Sequence, residues 1–174
     1  NYANEHNLSM NIKSGGHSFE GFSLNNDGLV IDVSHMNQIS LNNHNQLITE
    51  PAVRLAQLYS YCLPKGRLLP SGSCASVGLS GITLGGGYGL FAREFGLTCD
   101  YLTGFRMIDA SGKIIDSDDD AELLWACRGG GNGNFGVVTQ LRFDTVKAPT
   151  TLYQHRFRSF NVSAKQAADL ADKW

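Results

Sequence analysis

Apolar positions in the first fifty residues come in short bursts rather than long periodic runs. Segments 29–33 (LVIDV), 38–42 (QISLN) and 46–51 (QLITEP) are too short for helices. They are separated by Asn, Asp and Gly turn chemistry, so each predicts a strand. Residues 1–7 read as the tail of a helix and 9–13 as a strand entering a glycine-rich loop. Residues 1–51 are therefore expected to form a small β-rich lobe.

The period then changes. VRLAQLYSYC, residues 53–62, places Val53, Leu55, Leu58, Tyr59 and Cys62 on one helical face, and Pro64-Lys65-Gly66 stops the helix. Strands are expected at 102–108 and 113–116, joined by the Asp109-Ala110-Ser111-Gly112 turn. A helix follows over 119–127 with Asp118 as its cap. Residues 136–143 return to a strand pattern, 152–158 alternate again, and 163–174 read as an amphipathic helix. The mixture predicts an α+β fold.

The chain has 174 residues, 42% of them hydrophobic and 17% charged, enough apolar material for a substantial core. A formal charge of -2 with no Lys/Arg run gives no electrostatic reason to expect nucleic acid or an acidic membrane surface as partner. No apolar run is long enough to span a bilayer, and residues 1–12 lack a leader pattern. The chain opens at Asn1 rather than Met and is read as a piece of a longer protein. Cys62, Cys74, Cys99 and Cys127 form no C-x-x-C pair, and the histidines form no i, i+4 pair, so a metal site is not expected.

Twenty glycines are concentrated in three loops: SGGHSFEG at 14–21, GSCASVGLSGITLGGGYG at 72–89 and RGGGNGNFGVV at 128–138. The last contains G-x-G-x-x-G at Gly131 to Gly136, but a helix precedes it and a strand follows, the reverse of the dinucleotide fingerprint. The second lacks the Lys-Ser/Thr of a nucleotide-hydrolase phosphate loop. Without a Cβ, glycine lets main-chain N–H groups approach a ligand and form an anion-binding concavity. Tight turns explain any one loop equally well. Three loops, each with a polar or reactive residue (His17, Cys74, Asn134), favour a large, flat, polyanionic ligand. A lone histidine is usually a surface or satisfied core residue, and a free cysteine is usually buried and inert. Set among glycines and serines, however, the imidazole of His17 is a competent nucleophile toward an activated carbon, and little shields Cys74.

SGGHS with FEG, then G-x-C-x-x-V-G, LGGGYG, GLTCD and RGGG-G-NFGVV, in that order over about residues 1–145, resemble the vanillyl-alcohol oxidase and p-cresol methylhydroxylase flavoprotein family, particularly its berberine-bridge-enzyme-like oxidases. The resemblance implies a two-lobed PCMH-type FAD-binding domain, with lobes at 1–51 and 52–151, an absent N-terminal part, and the start of a substrate domain at 152–174. It also implies that Ser14, Gly15, Gly16, His17 and Ser18 cradle the pyrophosphate, with His17 bonded to the 8α-methyl of the flavin and Cys74 at the position of a second tether to ring carbon C6. Val77, Gly78, Gly81, Gly87, Tyr88, Gly89, Gly136 and Val138 are the further cofactor-binding candidates. Leu90, after the triple glycine, is the oxygen-access candidate, with core filling as the alternative.

The implied activity is removal of a hydride from an alcohol or C–H centre of a sugar, phenolic or alkaloid-like small molecule, with molecular oxygen as acceptor. A dehydrogenase using another acceptor and a non-catalytic nucleotide-binding module are the alternatives. Covalent attachment raises the flavin's oxidising power. The catalytic base is expected outside this chain, which alone should be inactive. Three departures from the pattern matter. Cys74-Ala75-Ser76-Val77-Gly78 stands where many relatives read Cys-Pro-Thr-Val-Gly, Ser80-Gly81-Ile82 replaces Gly-Gly-His, and Lys13 replaces a frequent arginine.

Overall fold

Short apolar bursts become strands only where a neighbour supplies the ladder, and the computed structural model shows which neighbours do. It describes residues 2–153, 155–156 and 158–173. A helical turn, α1 (Tyr2–Glu5), precedes β1 (Met10–Lys13), which pairs in parallel with β2 (Leu29–Asp32), Lys13 lying opposite Asp32. Parallel strands need a crossover. The first glycine loop begins that crossover.

The chain continues through β3 (Ile39–Leu41), β4 (Leu47–Thr49), α2 (Leu55–Cys62), β5 (Arg67–Leu68), α3 (Leu79–Leu84) and α4 (Ala92–Phe95). Then come β6 (Leu102–Ile108), β7 (Ile114–Asp116), α5 (Ala121–Ala126), β8 (Val137–Phe143), β9 (Val146–Lys147) and α6 (Ala164–Asp172). Five strands make one antiparallel sheet in the order β3-β4-β8-β6-β7. The sequence pattern groups 39–49 with the residues before them. The ladder instead joins β4 to β8, with Leu47 opposite Phe143 and Thr49 opposite Leu141. Burial of Leu47 and Thr49 gives the physical reason, because that face must be covered by the same core that β6 and β8 cover.

The α2 face is as its spacing predicts: Leu55, Leu58 and Cys62 are buried together with Val53, and they join Phe105, Met107, Leu141 and Phe143 of the sheet in one cluster. Each such side chain contributes about 1.5–3 kcal/mol on burial. After α2, a short 3-10 turn ends at Gly66, whose φ of 68° is left-handed backbone that glycine adopts without strain.

Two local expectations change. Asp118 does not cap α5; Asp120 does, its carboxylate accepting from the Leu123 amide at 2.8 Å. Asp118 instead pairs with Arg142, which reaches it from β8. Residues 152, 153, 155, 156 and 158 form no strand, and Gln154 and Phe157 lie outside the described residues. Alternation there has no ladder partner, and the described side chains of 152–158 are exposed. The final helix begins where expected, and the structure adds that Ser163 caps it, while Asn1 and Trp174, the outer ends of the expected terminal helices, lie outside the described residues.

Candidate functional site

β1 delivers the chain to Ser14. Lys13 Nζ meets the Asp32 carboxylate at 2.9 Å, and the lysine, followed by Ser34, holds that carboxyl below the usual carboxylate range. The Ser14 hydroxyl donates to the Pro51 carbonyl at 2.8 Å. The Gly15 carbonyl accepts from Arg54 Nη1 at 2.9 Å, and Gly16 takes a φ of 69°. His17 is exposed at the crest. Among the described residues, the amides of Gly15, Gly16, His17 and Ser18 donate to no protein acceptor, which leaves them available to a ligand.

The second loop is packed against the first. Leu55 N donates to the Val77 carbonyl at 3.1 Å and Leu79 N to the Val53 carbonyl at 2.8 Å, bridging the start of α2 to the end of the 72–78 loop. A Cβ on Gly15 would strike the Gly78 amide, and one on Gly78 would strike Ser14 Oγ and lie 2.6 Å from Gly15 N. Arg54 Nη1 donates to the Ser76 carbonyl at 2.6 Å as well as to Gly15, clamping both loops with one guanidinium. His17 Nε2 lies 2.9 Å from Ser76 Oγ. Of the four free cysteines, Cys74 on this loop is exposed and the others are buried. Burial pushes the Cys62 and Cys127 thiols up to about 11, and it raises Cys99 with help from Asp100. Those three are inert at neutral pH.

The third group is tied in by small contacts. Tyr59, a hydroxyl that burial pushes up to about 12, donates to the Gly72 carbonyl at 2.7 Å. Thr98 Oγ1 bonds Ser71 Oγ and the Gly87 carbonyl, both at 3.0 Å, and Gly89 presses on the Ser71 carbonyl so closely that a Cβ has no place. The Gly131 amide donates to the Leu84 carbonyl at 3.0 Å, so the 129–132 turn sits against the 85–87 run. Gly81 faces open space. Tyr88 and Leu90 are 78% and 83% exposed, so neither fills the core in the described residues. Val77 packs partly against the core. The Val138 side chain is buried in it, leaving only main chain to meet a ligand, and Gly136 lies against the Ile108 carbonyl.

The structure thus brings 14–18 against 72–78 and 85–87 against 129–132, with Ser71 and Thr98 joining the halves. Arg54, Ser76 and Thr98 are absent from the sequence-derived candidates. An arginine at a helix start reads as an exposed cation, and nothing local shows that two loops lie under it. The arrangement offers main-chain amides without protein acceptors, a close glycine–glycine approach and two exposed reactive side chains on adjoining loops. That donor set fits a phosphate-bearing, electrophilic cofactor such as FAD.

Comparison with known proteins agrees with that fit. Residues 1–118 match the model of the FAD binding domain. An uncharacterised FAD-linked oxidoreductase of Bacillus subtilis (strain 168), YgaK, is 43% identical over 152 residues, which is 83% of this chain and 34% of that protein. Berberine bridge enzyme-like 8 of Arabidopsis thaliana is 33% identical over 177 residues, 97% of this chain and 33% of its own. Glucooligosaccharide oxidase from Acremonium strictum, whose FAD is described as 6-S-cysteinyl, 8α-N1-histidyl, superposes with a TM-score of 0.80 at 32% identity over 85% of this chain and 32% of its own. The chain spans about a third of the length of these relatives.

Proposed function

Because the chain belongs to the FAD binding domain family of flavoprotein oxidoreductases, we propose that it holds FAD covalently in a full-length oxidase, with His17 as tether and Cys74 as second tether. The observation that carries this reading is the pairing of exposed His17 and exposed Cys74 on two loops that touch at Gly15 and Gly78. Ser14, Gly15, Gly16 and Ser18 supply main chain to the pyrophosphate. Gly78, Gly81, Gly87, Tyr88, Gly89, Gly136, Val77 and the Val138 backbone line the remainder. Arg54 sits at the loop base, where positive charge favours the anionic cofactor, while Lys13 is paired with Asp32.

When bound, FAD supplies the hydride and electron chemistry. The part played by this chain would be to hold the cofactor, through His17 and Cys74 and through the main chain of the 14–18 loop. An alcohol or C–H centre of a sugar, phenolic or alkaloid-like molecule is the proposed donor and molecular oxygen the proposed acceptor, supported by the similarity to glucooligosaccharide oxidase and to berberine bridge enzyme-like proteins. The catalytic base is assigned outside this chain, and the chain alone turns nothing over.

The test is acid precipitation of the full-length protein followed by peptide mass spectrometry. A yellow pellet and a flavin adduct on the 14–20 peptide are expected. An unmodified His17 peptide from fully loaded protein sinks the reading. His17→Ala should keep flavin through Cys74, and complete release on denaturation would make Cys74 a bystander.

A further inference from the structure

We propose that Ser76 is the positioning residue that decides which nitrogen of His17 takes the flavin. Its hydroxyl, 2.9 Å from Nε2 and able to donate or accept, takes the acceptor role in this assignment and leaves Nδ1 as the nitrogen offered to the cofactor. The role rests on the reading of His17 as tether. An exposed imidazole beside a left-handed glycine would turn freely and present either nitrogen. Here Nε2 is engaged at 2.9 Å by Ser76 Oγ. In a neutral imidazole one nitrogen carries the proton and the other is the nucleophile, so an Nε2–H donated to Ser76 Oγ makes Nδ1 the nucleophile.

The serine is itself held. The guanidinium that grips the Ser76 carbonyl at 2.6 Å also grips the Gly15 carbonyl at 2.9 Å, two residues before His17. Gly15 and Gly78 leave no slack between the loops. Arg54 therefore sets the spacing across which the His17–Ser76 hydrogen bond is made, and the bond is a property of the two-loop assembly rather than of either loop.

In bond formation Nδ1 replaces one hydrogen of the 8α-methyl group. That hydrogen leaves as a proton, the Nε2 proton is released past Ser76 to solvent, and the two electrons of the broken C–H bond pass through the ring to dioxygen, which leaves as hydrogen peroxide. Positive charge develops on the imidazole as Nδ1 bonds, and a hydrogen bond from a charged donor is stronger than a neutral one. Ser76 thus favours attachment as well as selecting the nitrogen.

The experiment compares full-length wild type with Ser76→Ala and Ser76→Thr. Nitrogen-15 NMR of histidine-labelled, flavin-free protein reads the His17 tautomer. After FAD is added, the rate of attachment and the bonded nitrogen are read on the isolated 14–20 peptide. Wild type should show protonated Nε2 and a single Nδ1 product. Ser76→Ala should show mixed tautomers, attachment slowed by about tenfold or more, and both linkage isomers, while Ser76→Thr restores wild-type behaviour. Ser76 is exposed, so its loss spares the core. Wild-type rate and pure Nδ1 product in Ser76→Ala would remove Ser76 alone, as would bonding through Nε2 in wild type. Wild type that never attaches flavin to His17 would overturn the tether reading and this role with it.

Discussion

Gly78 and Gly81 stand three residues apart and ask opposite things of a side chain. Gly78 has ordinary extended backbone, φ -81° and ψ 133°, so its need for glycine is purely spatial. A methyl group there meets Ser14 Oγ and the Gly15 backbone, and the main chain on either side is anchored to α2. Gly78→Ala should therefore part the two loops and cost about 1–3 kcal/mol. Gly81 lies inside α3 with nothing within 4 Å of the place a methyl group would take, so Gly81→Ala should stabilise by up to about 1 kcal/mol. Urea denaturation midpoints of the two variants separate these outcomes, and a shared direction would contradict the spatial account. Leu90 is 83% exposed, and we propose it as the oxygen-access residue. Leu90→Val in the full-length enzyme is expected to speed reoxidation of reduced flavin and to spare reduction by substrate, which stopped-flow measurement of the two half-reactions decides.

At the scale of elements, Asp118 and Asp120 show how identical side chains two residues apart receive different tasks. Asp120 faces the open amides of α5 and caps it, whereas Asp118 faces outward to Arg142. Gly104 completes the arrangement, because a Cβ there would occupy the space of the Arg142 guanidinium. Asp120→Ala should cost about 1 kcal/mol at any ionic strength. Asp118→Ala should cost less than about 1 kcal/mol, and its effect should shrink in high salt, because the pair is solvent-screened. Equilibrium unfolding at low and high salt checks both.

Across the whole molecule, the titrating groups fall into two sets with opposite signs. Asp32, Asp109 and Asp118 have carboxyls held below 3.8, by Lys13, Ser111 and Arg142 respectively. Their contribution is complete above about pH 4 and is lost as acid protonates them in the folded chain. Cys62 and Cys127 are raised from 9.0 to about 11, and Tyr59 from 10.0 to about 12. The folded state then keeps protons that the unfolded state has released, so stability declines as pH rises above about 9. Thermal melts should be level between about pH 5 and pH 8 and fall on both sides. Asp32→Asn should soften the acid limb, and Cys62→Ala the alkaline one. An alkaline limb unchanged in Cys62→Ala would show that the thiol does not contribute.

Local pattern by itself determined the α2 face, the strands at 29–32 and 102–108, the hairpin around Asp109, the final helix from about residue 163 and the positions of the glycine-rich loops. Each depends on periodicity, capping or turn chemistry within a few residues. The ordered motifs also sufficed to identify the flavoprotein family. Tertiary structure decided the rest. It alone placed β4 beside β8, chose Asp120 over Asp118, withheld a ladder from the described residues of 152–158, and turned Gly81 and its neighbours into α3 despite poor helix propensity. It also brought Arg54 over two loops and set Ser76 against His17. These outcomes depend on partners far apart in the chain, from Arg54 to Gly15, Ser76 to His17, and Leu47 to Phe143. A residue's local pattern carries its own preference but not the identity of the neighbour that folding will supply.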